Sequence, residues 1–206
     1  METSVTLYGA SGHSKVIIDI LKTSSVTIAT VIDDNPKTVT ILGLPIVKKA
    51  DIDFSGIQNM IISIGNNKVR QRISGQINVN YVNAIHPTAI ISATVTLGKG
   101  TVIMAGAIIN PDAVIGNHCI INTGAVIEHD CHISDFAHIS PSVSLAGNVA
   151  IGEGAHIGIG AKVIQGIKIG KWTTIGAGTV IIKDIPDYAV VVGNPGKIIK
   201  YNQENE

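Results

Sequence analysis

From Ile85 onward, aliphatic residues recur at every sixth position. Sampling at that interval gives Ile85, Ile91, Leu97, Ile103, Ile109, Ile115, Ile121, Ile127, Ile133, Ile139, Leu145, Ile151, Ile157, Val163, Ile169, Ile175 and Ile181; all 17 are Leu, Ile or Val. An α-helix repeats every 3.6 residues or so and would not produce this column. Four residues after each aliphatic stands a small or β-branched residue, as in Ala107, Ala113, Cys119, Ala125, Cys131 and Ala137. The position directly after the aliphatic is often glycine: Gly98, Gly116, Gly152, Gly158, Gly170 and Gly176. Each hexad therefore predicts a short strand and a tight corner, with the aliphatic and the small residue inward and glycine supplying unusual backbone angles. Three hexads close one triangular coil, coils stack about 4.8 Å apart through parallel ladders, and stacking supplies the core that one coil lacks.

Residues 1–84 break this period. Val5–Tyr8 is an apolar run ending in Gly9-Ala10-Ser11-Gly12-His13, and Ser14 to Lys22 has helical spacing with Val16, Ile17, Ile20 and Leu21 on one face. Val26–Ile32 predicts a second strand, ending at Asp33-Asp34. Met60–Ile64 predicts a third, ending at Gly65, with a helix from Asn67 to about Ile73 and a last strand over Tyr81–Ile85. Strand, Gly loop, helix, strand is a small Rossmann-like α/β unit. The expected division is 1–84, a small α/β domain; 85–185, the β-helix; and 186–206, a cap and tail beginning where Pro186 ends the repeats.

Composition narrows the function. Lys plus Arg equals Asp plus Glu at 15 each, so no basic surface points to nucleic acid or an anionic membrane. Only 3% of residues are aromatic, which suits thin, uniform core layers. Cys119 and Cys131 fall at inward positions and are expected to be small core residues rather than a disulfide framework. No apolar run of about 18 residues and no signal-peptide pattern is present, so a cytoplasmic protein without a membrane span is expected.

Candidate chemistry sits at two places. Ligands of open parallel sheets bind at the carboxyl ends of strands, which selects Gly9–His13, Asp33-Asp34 and Gly65-Asn66. The Gly loop would aim backbone N–H groups at a phosphate, although Gly9 and Gly12 alone do not complete the G-x-G-x-x-G pattern and serve equally as plain turn residues. In the repeats, His129 lies two residues after Ile127, at an outward corner, beside Asp130. An imidazole with an ordinary pKa near 6.5 is mostly neutral at pH 7, as a general base must be; a solvated corner histidine is the bland alternative. His132, His138 and His156 share the sixth hexad position, and His138 and His156 are one 18-residue coil apart, so they are expected to stack.

The repeat resembles the hexapeptide-repeat family, whose fold is a left-handed parallel β-helix; the left hand is implied by that resemblance. The motifs Tyr8–His13, Asp33-Asp34, Ile64–Asn67, Val126–Asp130, Phe136–Ser140 and Ala146–Val149 occur in an order similar to that of sugar O- and N-acetyltransferases, among them the bacillosamine-pathway enzyme and the sialic acid O-acetyltransferase. That resemblance implies acetyl-CoA as co-substrate, a nucleotide-linked amino sugar (UDP- or dTDP-) as partner, and a homotrimer. It implies His129 as base and Asp130 orienting it in place of the family's Glu; a backbone N–H, that of Gly147, is expected to hold the oxyanion. His138, Gly147, Ile159 and Ala177 would hold acetyl-CoA, and Ser11, Gly12, His13, Asp33, Asp34 and Gly65 the nucleotide sugar, with no metal. Val192–Lys197 resembles the family's tail, with Gly196 replacing its Ala. The implied activity is N-acetylation; an O-acetyltransferase, a zinc enzyme of the γ-carbonic anhydrase kind and a non-catalytic trimeric scaffold are the alternatives.

Overall fold

The computed structural model describes residues 4–202. Its N-terminal part runs β1 (Ser4–Tyr8), α1 (Gly12–Thr23), β2 (Thr27–Asp33), β3 (Thr40–Ile41), β4 (Leu44–Lys48), β5 (Asn59–Ile62), α2 (Asn67–Gln76) and β6 (Asn80–Tyr81). The sheet order is β3-β4-β2-β1-β5-β6, parallel except for the β3–β4 hairpin. That hairpin had no sequence expectation behind it. The strand expected over Tyr81–Ile85 is two strands: β6 pairs with β5, while β7 (Ala84–Ile85) opens the next domain. On α1, Val16 is 40% exposed and Ile18 is fully buried, against the expected single stripe. Ile17, Ile18, Ile20 and Leu21 share one core with Val5, Leu7 and Val31 of the sheet and with Ala84, Val102 and Ile120 of the repeats, so the helix is covered on two sides.

From β7 to β23 (Val180–Ile181) follow seventeen two-residue strands on three parallel faces. The register advances by one coil of eighteen residues: Ile85, Ile103, Ile121, Ile139, Ile157 and Ile175 stack on the first face. Ile91 to Ile181 stack on the second and Leu97 to Ile169 on the third. This is the parallel β-helix expected. Its interior is aliphatic and small side chains at essentially zero exposure from Ile103 upward, while Ile85, Ile91 and Leu97 of the first coil, with no coil beneath, are partly buried. Cys119 and Cys131 are free and buried. The helix also continues past Pro186: Ile185 bridges to Ile169 and Val191 of β24 (Ala189–Val192) pairs with Ile175, sixteen residues on instead of eighteen. β25 (Lys197–Tyr201) then closes antiparallel on β24.

Two glycine roles separate. The residue three after each aliphatic has positive φ at every corner from Gly100 to Gly178, and among them are Asp112, His118, Asp130, Phe136, Ser142, Asn148 and Trp172. The glycines directly after the aliphatic do not. They are there because a Cβ would strike the next coil, 2.5 Å from the Ile175 oxygen at Gly158 and 2.5 Å from the Lys171 nitrogen at Gly152. The expectation that these glycines supply unusual backbone angles is therefore corrected: they permit close stacking, and the corner angle is taken one position pair later.

Candidate active site

The corner geometry sets His129. Asp130 occupies the left-handed position (φ 60°) and its Oδ2 accepts from His129 Nδ1 at 2.7 Å. With Nδ1–H bound to a carboxylate, Nε2 carries the free lone pair of the neutral ring. One coil on, Gly147 lies against that ring: a Cβ there would stand 2.6 Å from Cε1 and 2.7 Å from Nε2. Gly147 N–H has no acceptor among the described residues. The His129 side chain is 61% exposed, and its pKa is raised, first by the Asp130 hydrogen bond and then by the Asp130 and Glu128 charges. A base, an orienting carboxylate and an unused backbone donor thus meet on one outward corner between the second and third faces.

The strand ends of the N-terminal sheet carry the second cluster. Gly9 (φ 114°) could take no side chain, since its Cβ would sit 2.6 Å from Ile64. Ser63 Oγ donates to the Gly9 carbonyl at 2.7 Å and so holds the loop. Asp33 is occupied: its oxygens accept the Ala10 and Asn35 N–H groups at 2.8 and 2.9 Å. Asp34 accepts the Tyr8 hydroxyl at 2.7 Å with Oδ1, and Oδ2 has no hydrogen-bond partner among the described residues. Asp33 thus braces the loop, and Asp34 keeps one open acceptor oxygen. Ser11 caps α1 without a side-chain bond, and no acidic residue occupies the first turn. Added methyls at Gly12 and Gly65 would meet nothing within 4 Å, so both face open space.

His138 and His156 stand outward on the first face, above Ala84, Val102 and Ile120, where the cover of α1 ends. Their rings stack with centroids 4.8 Å apart and planes at 7°, as the one-coil spacing implied. Asn122 Nδ2 lies 3.1 Å from His138 Nε2, and Ser140 Oγ 3.0 Å from His156 Nε2. His138 is pushed down to about 3 by burial, then by His156, Arg70 and His13, against an opposing pull from the Gly65 backbone. His13 is pushed down to about 4 by burial and Arg70. Both are neutral at pH 7. His132 stands apart, exposed on the third face. A cavity of about 390 Å³ adjoins this cluster, between Gly65–Lys68 and His156, Trp172 and Tyr188.

Ile159 (56% exposed) and Ala177 sit at the corner between the first and second faces. The structure thus brings His13, Gly65 and His138 together at the first face, and His129, Asp130 and Gly147 together at the corner between the second and third. At Gly196 a Cβ would meet the Ile181 side-chain tip at 2.8 Å, so the family's Ala would need that tip to shift. Among the described residues no three His, Cys, Asp or Glu side chains converge as a metal site. No helix among them is long and apolar enough to cross a membrane. Sequence reasoning missed Arg70 and Asn122 and gave Asn67 no role beyond its motif; Asn122 has a signal, lying sixteen residues before His138 and so in the preceding coil.

A β-helix carrying an outward His–carboxylate corner, joined to a Gly-loop α/β domain, defines a hexapeptide transferase architecture. Comparison with known proteins narrows it. The PglD N-terminal domain family model matches residues 4–77, and the bacterial transferase hexapeptide model matches residues 94–129 and 148–183. The solved perosamine N-acetyltransferase of Caulobacter crescentus, in complex with CoA and GDP-perosamine, is 39% identical with a TM-score of 0.92, covering 97% of this chain and 98% of that one. The acetyltransferase domain of PglB from Neisseria gonorrhoeae, in complex with acetyl coenzyme A, is 32% identical with a TM-score of 0.88, covering 97% and 100%. The UDP-N-acetylbacillosamine N-acetyltransferase of Bacillus subtilis is 44% identical over 120 residues, a match that spans 50% of this chain and about half, 51%, of that protein. The chain belongs to the hexapeptide-repeat sugar N-acetyltransferases that carry a PglD N-terminal domain.

Proposed function

We propose that the chain transfers the acetyl group of acetyl-CoA to the amine of a nucleotide-linked 4-amino-4,6-dideoxy sugar. The observation that carries this is the His129 imidazole, held at Nδ1 by Asp130 with Nε2 against Gly147. The neutral amine attacks the thioester carbonyl carbon, and its proton passes to Nε2. Asp130 steadies the imidazolium, and the Gly147 N–H stabilises the oxyanion. Collapse of the tetrahedral intermediate expels the CoA sulfur, which takes the proton from Nε2. No acyl-enzyme is needed: both cysteines are buried, and burial pushes the Cys119 thiol up to about 12.

Residues 1–84 hold the nucleotide, with the α1 N-terminus and Ser11, Gly12 and His13 toward phosphate, and Asp34 and Gly65 beside it. Asp33 serves by bracing the loop. Residues 85–185 carry the transfer, and the segment from Pro186 to Asn202 closes the helix. Ile159, Ala177, Gly147 and His138 receive acetyl-CoA. The exposure of His129 and Ile159 supports a second copy closing the groove, in a homotrimer. Relatives named for UDP- and GDP-linked sugars leave the base open, so a purine joins uracil and thymine as a candidate.

The test is acetyl transfer from acetyl-CoA to UDP-, dTDP- and GDP-linked 4-amino sugars beside hydroxyl acceptors. An amide product is expected with one of the amines. Ester product alone would favour O-acetylation, and no product with any acceptor would refute the reading.

A further inference from the structure

Arg70, on α2, is 1% exposed and has no carboxylate partner among the described residues. Its guanidinium is spent on oxygens instead. Nη1 donates to the Ile64 and Gly65 carbonyls at 3.0 and 3.3 Å, Nε to the His118 carbonyl at 2.7 Å, and Nη2 to the Phe136 carbonyl at 2.8 Å and Asn67 Oδ1 at 2.9 Å. Ile64 and Gly65 form the loop after β5. His118 and Phe136 are left-handed corners of two successive coils, stacked ring on ring at 5.3 Å. Asn67 extends the same ladder by donating to the Gly154 carbonyl, at the next corner up, at 3.0 Å. One buried side chain therefore bolts the loop to the β-helix. Both loop carbonyls turn toward the guanidinium, and the Gly65 Cα faces open space.

Burying an unpaired guanidinium is costly, and packing alone could be met by an apolar residue. Arg offers a planar fork of donors that a lysine cannot reproduce. Its charge remains at neutral pH even though burial holds its pKa down at about 10.

We propose that Arg70 is a positioning residue for the transfer: it fixes the Ile64–Gly65 loop against the β-helix, so that a nucleotide held by the loop presents its sugar at a set height along the His138–His156 face. This rests on the function proposed above. Arg70 touches no substrate; it acts through Gly65.

The variants are R70K, which keeps the charge but loses the fork, and N67A, which removes one partner of that fork and leaves Arg70 in place. In R70K the KM for the nucleotide amino sugar is expected to rise about tenfold or more, with the KM for acetyl-CoA within about twofold of wild type; N67A should shift the same KM in the same direction by less. A merely structural role would lower the melting temperature and leave the KM values unsplit. Unsplit KM values in folded R70K, or in N67A should R70K not fold, would overturn the proposal. Amide hydrogen exchange of wild type and the variants separates this from failure of the function itself. Residues 64–67 should exchange about tenfold faster in the variants while β1 and β5 are unchanged, whatever acceptor the enzyme takes. Unchanged exchange at 64–67 would contradict the bolt directly.

Discussion

Asp130 Oδ2 holds His129 Nδ1 at 2.7 Å, and this bond raises the imidazole pKa above its ordinary 6.5. The base is the neutral ring, so kcat/KM should climb as pH rises through that raised pKa. Removing the carboxylate takes away the leading cause. In D130N the acid limb of the pH profile should move to lower pH, and kcat should fall by about tenfold or more as the ring loses its tautomer and orientation. A limb left in place by D130N would show that Asp130 does not tune His129.

Gly147 lies one coil above His129, and a methyl on it would stand 2.6 Å from the ring. G147A should swing the exposed imidazole away from its present place. The expected result is a loss of kcat of about 10²-fold or more with little change in melting temperature, because a misplaced base costs rate while an exposed ring contributes little to folding. Retained turnover in G147A would mean the ring works from another position.

The two glycine classes of the repeat should respond differently to alanine. At Gly160 (φ 68°) a Cβ meets open space, so G160A carries only the left-handed backbone cost of about 1–2 kcal/mol. At Gly158 the Cβ would lie 2.5 Å from the Ile175 oxygen in the coil above, so the ladder itself must give. G158A is therefore expected to cost more, about 3 kcal/mol or above, readable by denaturant melts. The reverse order would contradict close stacking as the reason for Gly158.

His13 and His118 are each pushed down to about 4 and His138 to about 3, all chiefly by burial. Each is neutral in the fold near pH 5 but takes a proton when the chain unfolds, where its pKa returns to about 6.5. The unfolded state then binds more protons, so stability should be full above pH 6.5 or so and decline as pH falls toward about 4. His118 lies between Tyr81 and Phe136, and Phe136 shows that this corner accepts phenylalanine at positive φ. H118F should make the decline of melting temperature between about pH 6 and pH 4 shallower. An unchanged slope would exclude His118 from the acid response.

The β-helix was legible because its signal repeats: a column of seventeen aliphatics leaves one register, and the stacking of His138 on His156 follows from their spacing. The left-handed corners were legible in principle too. Their column holds Gly, Asp, Asn and Ser at most positions, but the glycines beside the aliphatics drew attention to the wrong place. Ile18 was missed because α1 is covered by two partners, a fact of assembly that one helical stripe does not carry. The β3–β4 hairpin was missed because its strands have two and five residues. Arg70 was invisible for a related reason: its five acceptors are four backbone carbonyls and one amide, scattered from Ile64 to Phe136. Asp33 and Asp34 read as a pair in sequence, yet backbone N–H groups claim the first and leave one oxygen of the second open.

The decisive measurement is the steady-state rate of acetyl transfer to a nucleotide-linked amino sugar by H129A beside wild type, with the melting temperature of each. His129 is exposed, so the variant should fold as well as wild type. Its kcat should drop by about 10²–10⁴-fold, the usual contribution of a general base. A folded H129A whose turnover stays within about tenfold of wild type would contradict the assignment of His129 as the base.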